Sequence, residues 1–433
     1  MKRIALTMLF PTALAAQASA DSVARPISLT DAVRLAQRNS PTTVQAAGAT
    51  RSNSASVRTA YLSFIPSLSF SSGASKNNGD RFDTQGNLVP FTGAAWSYSS
   101  GLRMNLELFD AGNRVFRLKS AKANMNASES NETLQQFNVA LSVKQQYYAV
   151  LAARESESAA KAQFEQASEQ LKTASAKVAA GAATKSDSLR AVIQVGNAQL
   201  ALIQAKNSLN IANASLTRLV ATPFVVTATP EDSAESIELA ADSTVIASLA
   251  LRGPAVQQSE AAHAAAKANV RGALTPYLPT VSMSFNRGGN GVDNRFGWGD
   301  DRYAYSQTMS FNMSFPFFNQ GAREEQIVRS RVAEENAAAQ LRDQRFLAQQ
   351  QLTTYLSAFR SAEQRVQIQL ASVEAAEEDL RVQQRRYQLG ASTFLDVLSS
   401  QVTLNQARSA LIQARFDARV AKAQIETLTG KDM

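Results

Sequence analysis

The chain has 433 residues, 45% hydrophobic and 18% charged, with 44 Lys+Arg against 36 Asp+Glu, one histidine and no cysteine. The missing cysteine excludes disulfides, thiolate metal sites, thiol nucleophiles and an N-terminal lipid-bearing cysteine. His263 alone cannot build a histidine metal cluster, and it leaves little room for Ser/His catalysis. The length allows two or three ordinary domains or one large repetitive architecture.

Residues 1–20 read as a secretory signal. Lys2 and Arg3 form a basic start, Ile4 to Ala16 is mostly apolar, and Ala18-Ser19-Ala20 is a small-residue cleavage site before Asp21. The apolar stretch is too short to span a bilayer, and no later run reaches the roughly 18 apolar residues of a membrane helix. Without the signal, 42 basic face 36 acidic residues, an excess of six. Such a chain enters a membrane only as strands.

The rest of the chain is written twice. Gly181-Ala182-Ala183-Thr184-Lys185-Ser186-Asp187-Ser188-Leu189 matches Gly390-Ala391-Ser392-Thr393-Phe394-Leu395-Asp396-Val397-Leu398 at five of nine positions, at an offset of 209. The same offset aligns Phe109-Asp110-Ala111-Gly112-Asn113-Arg114 with Phe318-Asn319-Gln320-Gly321-Ala322-Arg323. Nearer the start the offset is 213, pairing Pro41 with Pro254 and Ile65-Pro66 with Leu278-Pro279, so the second copy has a loop four residues shorter. The first copy covers 21–222 and the second 243–430, with 223–242 as a linker.

Each copy reads as a short helix, a β-hairpin, a long helix and a returning helix. The short helices are expected over 28–60 and 243–273, with Thr30 and Ser243 as N-caps. The long helices, 115–180 and 324–389, are 66 residues each without Gly or Pro. A helix of that length extends roughly 100 Å. Leu352, Leu356, Phe359, Val366, Leu370, Val373, Leu380 and Tyr387 form a heptad seam, which predicts coiled-coil packing. Gly181 and Gly390 suit left-handed turns into helices at 184–220 and 392–428.

The hairpins occupy 64–109 and 277–318. Leu68 and Phe70, then Leu102, Met104, Leu106 and Leu108, alternate with polar residues. So do Val281, Met283 and Phe285, and Met309, Phe311, Met313 and Phe315. Period-two alternation over about ten residues is the pattern of a barrel strand with a lipid-facing and a water-facing side. Trp96, Tyr98, Tyr303 and Tyr305 fall near strand ends, where an interfacial aromatic girdle belongs. Four strands cannot close a membrane barrel, and an open edge in lipid is forbidden, so the chain must oligomerise.

On these residues the chain resembles the TolC-type outer membrane efflux and secretion channels across 21–430. The Phe-Asp/Asn-x-Gly-x-Arg junctions (Gly112, Arg114, Gly321, Arg323) and the Gly-x-x-Thr-x-x-Asp-x-Leu hairpins, each present twice in the same order, carry the resemblance. It implies an α+β membrane protein: a homotrimer whose 12-stranded outer-membrane barrel continues into a 12-helix periplasmic tunnel. It implies docking through the hairpin tips (Gly181, Ala182, Thr184, Gly390, Ala391, Thr393) onto a periplasmic adaptor, the membrane fusion protein. Beyond that lies an inner-membrane pump or secretion ATPase. The chain itself would need no cofactor and catalyse nothing.

In the resembled family aspartates ring the periplasmic entrance, and polar contacts latch it. Asp187 and Asp396 match the ring positions and Tyr387 the latch tyrosine, while Ser399 and Ser392 replace a second aspartate and a latch arginine. Carboxylates repeated around a narrow axis would concentrate cations and raise one another's pKa. As an alternative, both aspartates cap the returning helices. The competing reading of the whole chain is a soluble periplasmic coiled-coil scaffold. No nucleic-acid motif accompanies the basic residues Arg114, Arg117, Lys119 and Lys122. Asp293, Asp300 and Asp301 lack calcium-loop spacing. The cargo stays open.

Overall fold

The computed structural model describes residues 24–76, 80–82, 84–90, 96–229, 243–293 and 303–431. The signal, most of the linker, Asp300 and Asp301 lie outside them. The chain divides into two compact units: residues 1–40, 140–238 and 358–423 form one, and 41–139, 239–357 and 424–433 the other.

In chain order the elements are β1 (Arg25–Ile27), α1 (Leu29–Asn39), α2 (Pro41–Leu62), β2 (Ser67–Lys76), β3 (Asp80–Phe82), β4 (Leu88–Pro90), β5 (Trp96–Phe109), α3 (Asn113–Ala179) and α4 (Lys185–Val220). There follow β6 (Val226–Ala228), α5 (Ser243–Ala250), α6 (Pro254–Ala273), β7 (Thr280–Asp293), β8 (Tyr303–Ser314), α7 (Ala322–Gln388) and α8 (Phe394–Thr429). Both long helices have 67 residues and both returning helices 36. Among the described residues no helix is long and apolar enough to cross a membrane.

Each expected short helix is in fact two. In 28–60, Ser40 is extended (φ −61°, ψ 132°) because Pro41 behind it disfavours the helical region. The N-cap is Ser28, whose Oγ accepts from the Asp31 N–H, rather than Thr30. In 243–273 the break falls at 251–253 and Pro254 restarts the helix. Gly253 is required there, since a Cβ would stand 2.0 Å from the Leu428 carbonyl oxygen. The linker also holds structure that its composition did not announce: β6 pairs in parallel with β1.

In the unit with the hairpin tips, Tyr147 is fully buried, and its hydroxyl donates to the Ile27 carbonyl and accepts from the Thr229 N–H, each at 2.9 Å. One aromatic ring thus fills the core and ties the β1–β6 ladder to α3. Here α7 packs on α8 through Ala362, Val366 and Val373 against Leu411, Ala414 and Ala418. Farther along, Ala376 and Leu380 meet Val397 and Leu404. These α7 spacings continue the heptad seam. Leu370, counted in that seam, is 39% exposed.

The other unit contains an antiparallel sheet of order β2-β5-β7-β8, so the two hairpins join through β5 and β7. A small β3–β4 ladder lies within the first hairpin. Cross-strand partners share a face. One face holds the rows Phe70/Leu102, Leu68/Met104/Phe285/Met309 and Leu106/Met283/Phe311. The opposite face pairs Ser69, Arg103, Asn286 and Thr308, then Ser67, Asn105, Ser284 and Ser310. Leu108 does not continue the apolar row. The register shifts between Glu107 and Phe109, so Phe109 stands opposite Val281, in one row with Met313 beyond it, and Leu108 is the extra residue of a β-bulge. Phe315 lies one residue past β8, edge-on to Phe317 with ring centroids 5.0 Å apart.

Candidate functional site

Two pairs of repeated positions carry the geometry: the junctions where strands become long helices, and the hairpin tips where long helices turn back. At the first junction Ala111 (φ 57°) and Gly112 (φ 79°) are both left-handed, and at the second Gln320 (φ 59°) and Gly321 (φ 80°) repeat the turn. Asp110 then caps α3. Its carboxylate accepts from the Gly112 N–H at 3.2 Å, the Arg114 N–H at 2.8 Å and Arg114 Nε at 3.0 Å. The Arg114 guanidinium also lies 5.2 Å from the Phe64 ring centroid. In the second copy Asn319 replaces the aspartate. Arg323 donates instead to the carbonyls of Pro276 and Phe317 and lies 4.8 Å from the Tyr277 ring.

Both tips close the same way. The Gly181 N–H bonds the Val178 carbonyl and the Ala182 N–H the Lys177 carbonyl; Gly390 and Ala391 repeat this on Tyr387 and Arg386. This paired closure needs a left-handed residue, and Gly181 (φ 74°) and Gly390 (φ 77°) supply it. Thr184 then caps α4 and Thr393 caps α8. Asp187 Oδ2 accepts from the Thr184 N–H (3.1 Å) and hydroxyl (2.8 Å), and Asp396 Oδ2 accepts both bonds from Thr393 at 2.8 Å. Gly181, Ala182, Thr184, Gly390, Ala391 and Thr393 are all exposed.

The two aspartates therefore sit in capping boxes at the helix N-termini. The Thr393 N–H and hydroxyl, with the charge of Arg386, hold Asp396 below its ordinary pKa. Within one protomer this is opposite to the upward shift expected of a carboxylate ring. Tyr387 moves up, through burial and the negative charge of Asp187. Its ring packs on Phe394 with centroids 5.8 Å apart, and both adjoin Ala174 and Ala191. Lys177 Nζ lies 4.0 Å from the Tyr387 ring centroid and donates to the Tyr387 carbonyl at 2.7 Å. One lysine of the first tip thereby holds the end of the second long helix. A cavity of about 160 Å³, lined by Gln170, Thr173, Tyr387 and Phe394, lies beside it.

The family described as Outer membrane efflux protein matches residues 32–222 and 245–431, most of the chain and both copies. The chain belongs to that family. The pyoverdine export outer membrane protein OpmQ of Pseudomonas aeruginosa is 28% identical over 324 residues, 74% of this chain and 67% of OpmQ. The alkaline protease secretion protein AprF of the same organism is 28% identical over 163 residues, 35% of this chain and 33% of AprF. A crystal structure of CusC, a protein that forms a transmembrane channel, superposes with a TM-score of 0.78 at 17% identity, covering 93% of this chain and 92% of that one. This outer membrane efflux protein is thus an outer-membrane channel component of efflux or secretion type, located in the outer membrane and reaching into the periplasm.

Lys177 and Phe394 of this channel escaped the sequence reading. Lys177 had a usable signal, a cation in the last turn of a helix that ends in glycine. Phe394 had another, an aromatic where the first copy has Lys185.

Proposed function

We propose that this outer membrane efflux protein acts as a passive homotrimeric exit duct, in which three four-stranded sheets close a 12-stranded barrel. The observation that carries this reading is the sheet. At the helix end of the sheet one face is apolar, with Arg287 and Gln307 entering it only in the row of Leu102, and the other is lined mainly with hydroxyl and amide groups beside Arg103 and Glu107, while β2 and β8 stand at the ends of the strand order. Two open edges cannot lie in hydrocarbon, and three copies joined edge to edge remove them. The exposed apolar stripe of α4 (Leu189, Ile193, Leu200, Ile203, Ile211) supports association through the helices as well. A soluble scaffold would leave Phe70 and Met313, 72% and 71% exposed, in water.

In this reading the tips meet a periplasmic adaptor, and an inner-membrane pump or secretion ATPase supplies the energy. The duct binds no cofactor and catalyses nothing. Asp187, Asp396 and Tyr387 form the periplasmic constriction. Gly181 and Gly390 have open space beside them, so a side chain there meets the left-handed backbone, a strain of about 1–2 kcal/mol, and any docked partner.

The test is purification in detergent followed by planar-bilayer recording. The expected result is a trimer that conducts, with Asp396→Asn lowering cation selectivity and Gly390→Leu abolishing transport without loss of the trimer. A protein released from membranes by salt, monomeric and non-conducting, would overturn the reading. Unchanged selectivity in Asp396→Asn would remove that residue alone from the constriction.

A further inference from the structure

The apolar face of the sheet ends where the long helices begin, and cations gather there unevenly. The first fifteen residues of α3, Asn113 to Ala127, contain Arg114, Arg117, Lys119 and Lys122 and no carboxylate. The neighbouring α2 contains Arg51 and Arg58 and likewise no carboxylate. Arg114 is neutralised by Asp110. Among the described residues no carboxylate lies within ion-pair distance of Arg117, Lys119 or Lys122, and all three are exposed.

Their setting is aromatic. Lys122 Nζ lies 5.0 Å from the Tyr61 ring centroid and Lys119 Nζ 5.7 Å from that of Phe116. Tyr61 is half exposed, as is Phe64 beneath Arg114. Side chains on a helix lean toward its N-terminus. On α3 that direction is toward the end of the sheet, so these lysines lie along apolar surface with their charges reaching for the edge of the apolar band. The N-terminus of α3 adds a partial positive charge of its own. The second copy lacks the arrangement: Gln326, Val328 and Arg331 align with Arg117, Lys119 and Lys122, and Glu324 and Glu325 replace Val115 and Phe116.

We propose that the first-copy junction, centred on Arg117, Lys119 and Lys122, is a binding surface for anionic phospholipid headgroups of the leaflet nearer the helices. The proposal rests on the outer-membrane reading of the sheet and adds lipid-class selectivity to it. A phosphodiester at that depth meets three uncompensated cations and the aromatic rim typical of membrane interfaces.

The test uses the full protein in nanodiscs of phosphatidylcholine, with and without phosphatidylglycerol, reading bound lipid by mass spectrometry and thermal melting. Wild type is expected to enrich phosphatidylglycerol and to melt higher in its presence, an effect that high salt removes. The triple variant Arg117→Gln/Lys119→Gln/Lys122→Gln should lose the enrichment, and each single change should lower it by about fivefold at most. Arg331→Gln, the matching change in the second copy, should leave it intact. Equal phosphatidylglycerol binding by wild type and the triple variant overturns the proposal, as does enrichment lost equally in Arg331→Gln. Failure to insert in either lipid overturns the membrane reading itself, an outcome distinct from insertion without preference. Should the triple variant fail to fold, the single variants decide.

Discussion

The two strand-to-helix junctions share a backbone and differ in chemistry. Each has two consecutive left-handed residues, an arginine two positions after the glycine, and an aromatic ring about 5 Å from that guanidinium. The first copy places a carboxylate in the turn, and Asp110 satisfies the turn amides and the guanidinium together. The second has Asn319, and Arg323 spends its donors on carbonyls while its Nε stays buried without a partner. Conformation that depends on φ tolerates little variation and is kept in both copies. Charge, which only has to be balanced locally, is free to diverge.

The largest expected effect comes from breaking that balance. Side-chain exposure is 12% for Arg114 and 9% for Asp110, so Asp110→Ala strands a nearly buried cation. A loss of about 3–5 kcal/mol follows, read as a fall in the melting temperature of the detergent-solubilised protein. The matching Asn319→Ala removes no such partner and should cost about 0.5 kcal/mol. Equal costs would show that the ion pair is not what distinguishes the junctions.

The tips repeat the lesson with a smaller effect. Lys177 and Arg386 are equivalent by the repeat, yet Arg386 reaches its own turn at the Ala391 carbonyl, and Lys177 reaches across to Tyr387. Lys177→Met should therefore remove a hydrogen bond and a cation–π contact between hairpins, about 1–2 kcal/mol together. Arg386→Met should remove a local bond and a charge near Asp396, and no contact between the hairpins. The expected readout is a higher resting conductance in planar bilayers for Lys177→Met and none of that rise for Arg386→Met.

What the sequence made legible was whatever follows from periodicity and from residues with restricted backbones. Alternation in β5, β7 and β8 marked the apolar face, and Gly181 and Gly390 marked the tips. What it hid depends on long-range approach. The bulge that displaces Leu108 exists only once β5 meets β7. The parallel β1–β6 pair joins segments some 200 residues apart, each three residues long and too short to show a period. Nothing local to Gly253 announces that the Leu428 carbonyl fills the space where its side chain would be. Lys177 is ordinary in sequence and acquires its role from the other copy.

The smallest effect concerns protonation at the second tip. Asp396 is held below its ordinary pKa, so what its charge adds to the α8 cap is fully present above the ordinary carboxylate range and is lost only as pH falls through the lowered value. Acidification into the ordinary carboxylate range should leave Asp396 more fully charged than an unperturbed aspartate, and the first turn of α8 better protected from hydrogen exchange than in Thr393→Ala. Thr393→Ala deletes the hydroxyl donor and leaves the backbone N–H and Arg386 in place, so the Asp396 titration should return part of the way toward the ordinary value. Tyr387 moves oppositely: its raised pKa keeps the phenol neutral as pH climbs past the range where an open tyrosine ionises, and Asp187→Asn should bring that titration down. A Tyr387 titration unmoved by Asp187→Asn would leave burial as its sole cause. The carboxylate of the first tip would then act only on its own helix, leaving the Lys177 contacts and the packing of Tyr387 and Phe394 on Ala174 and Ala191 to join the hairpins.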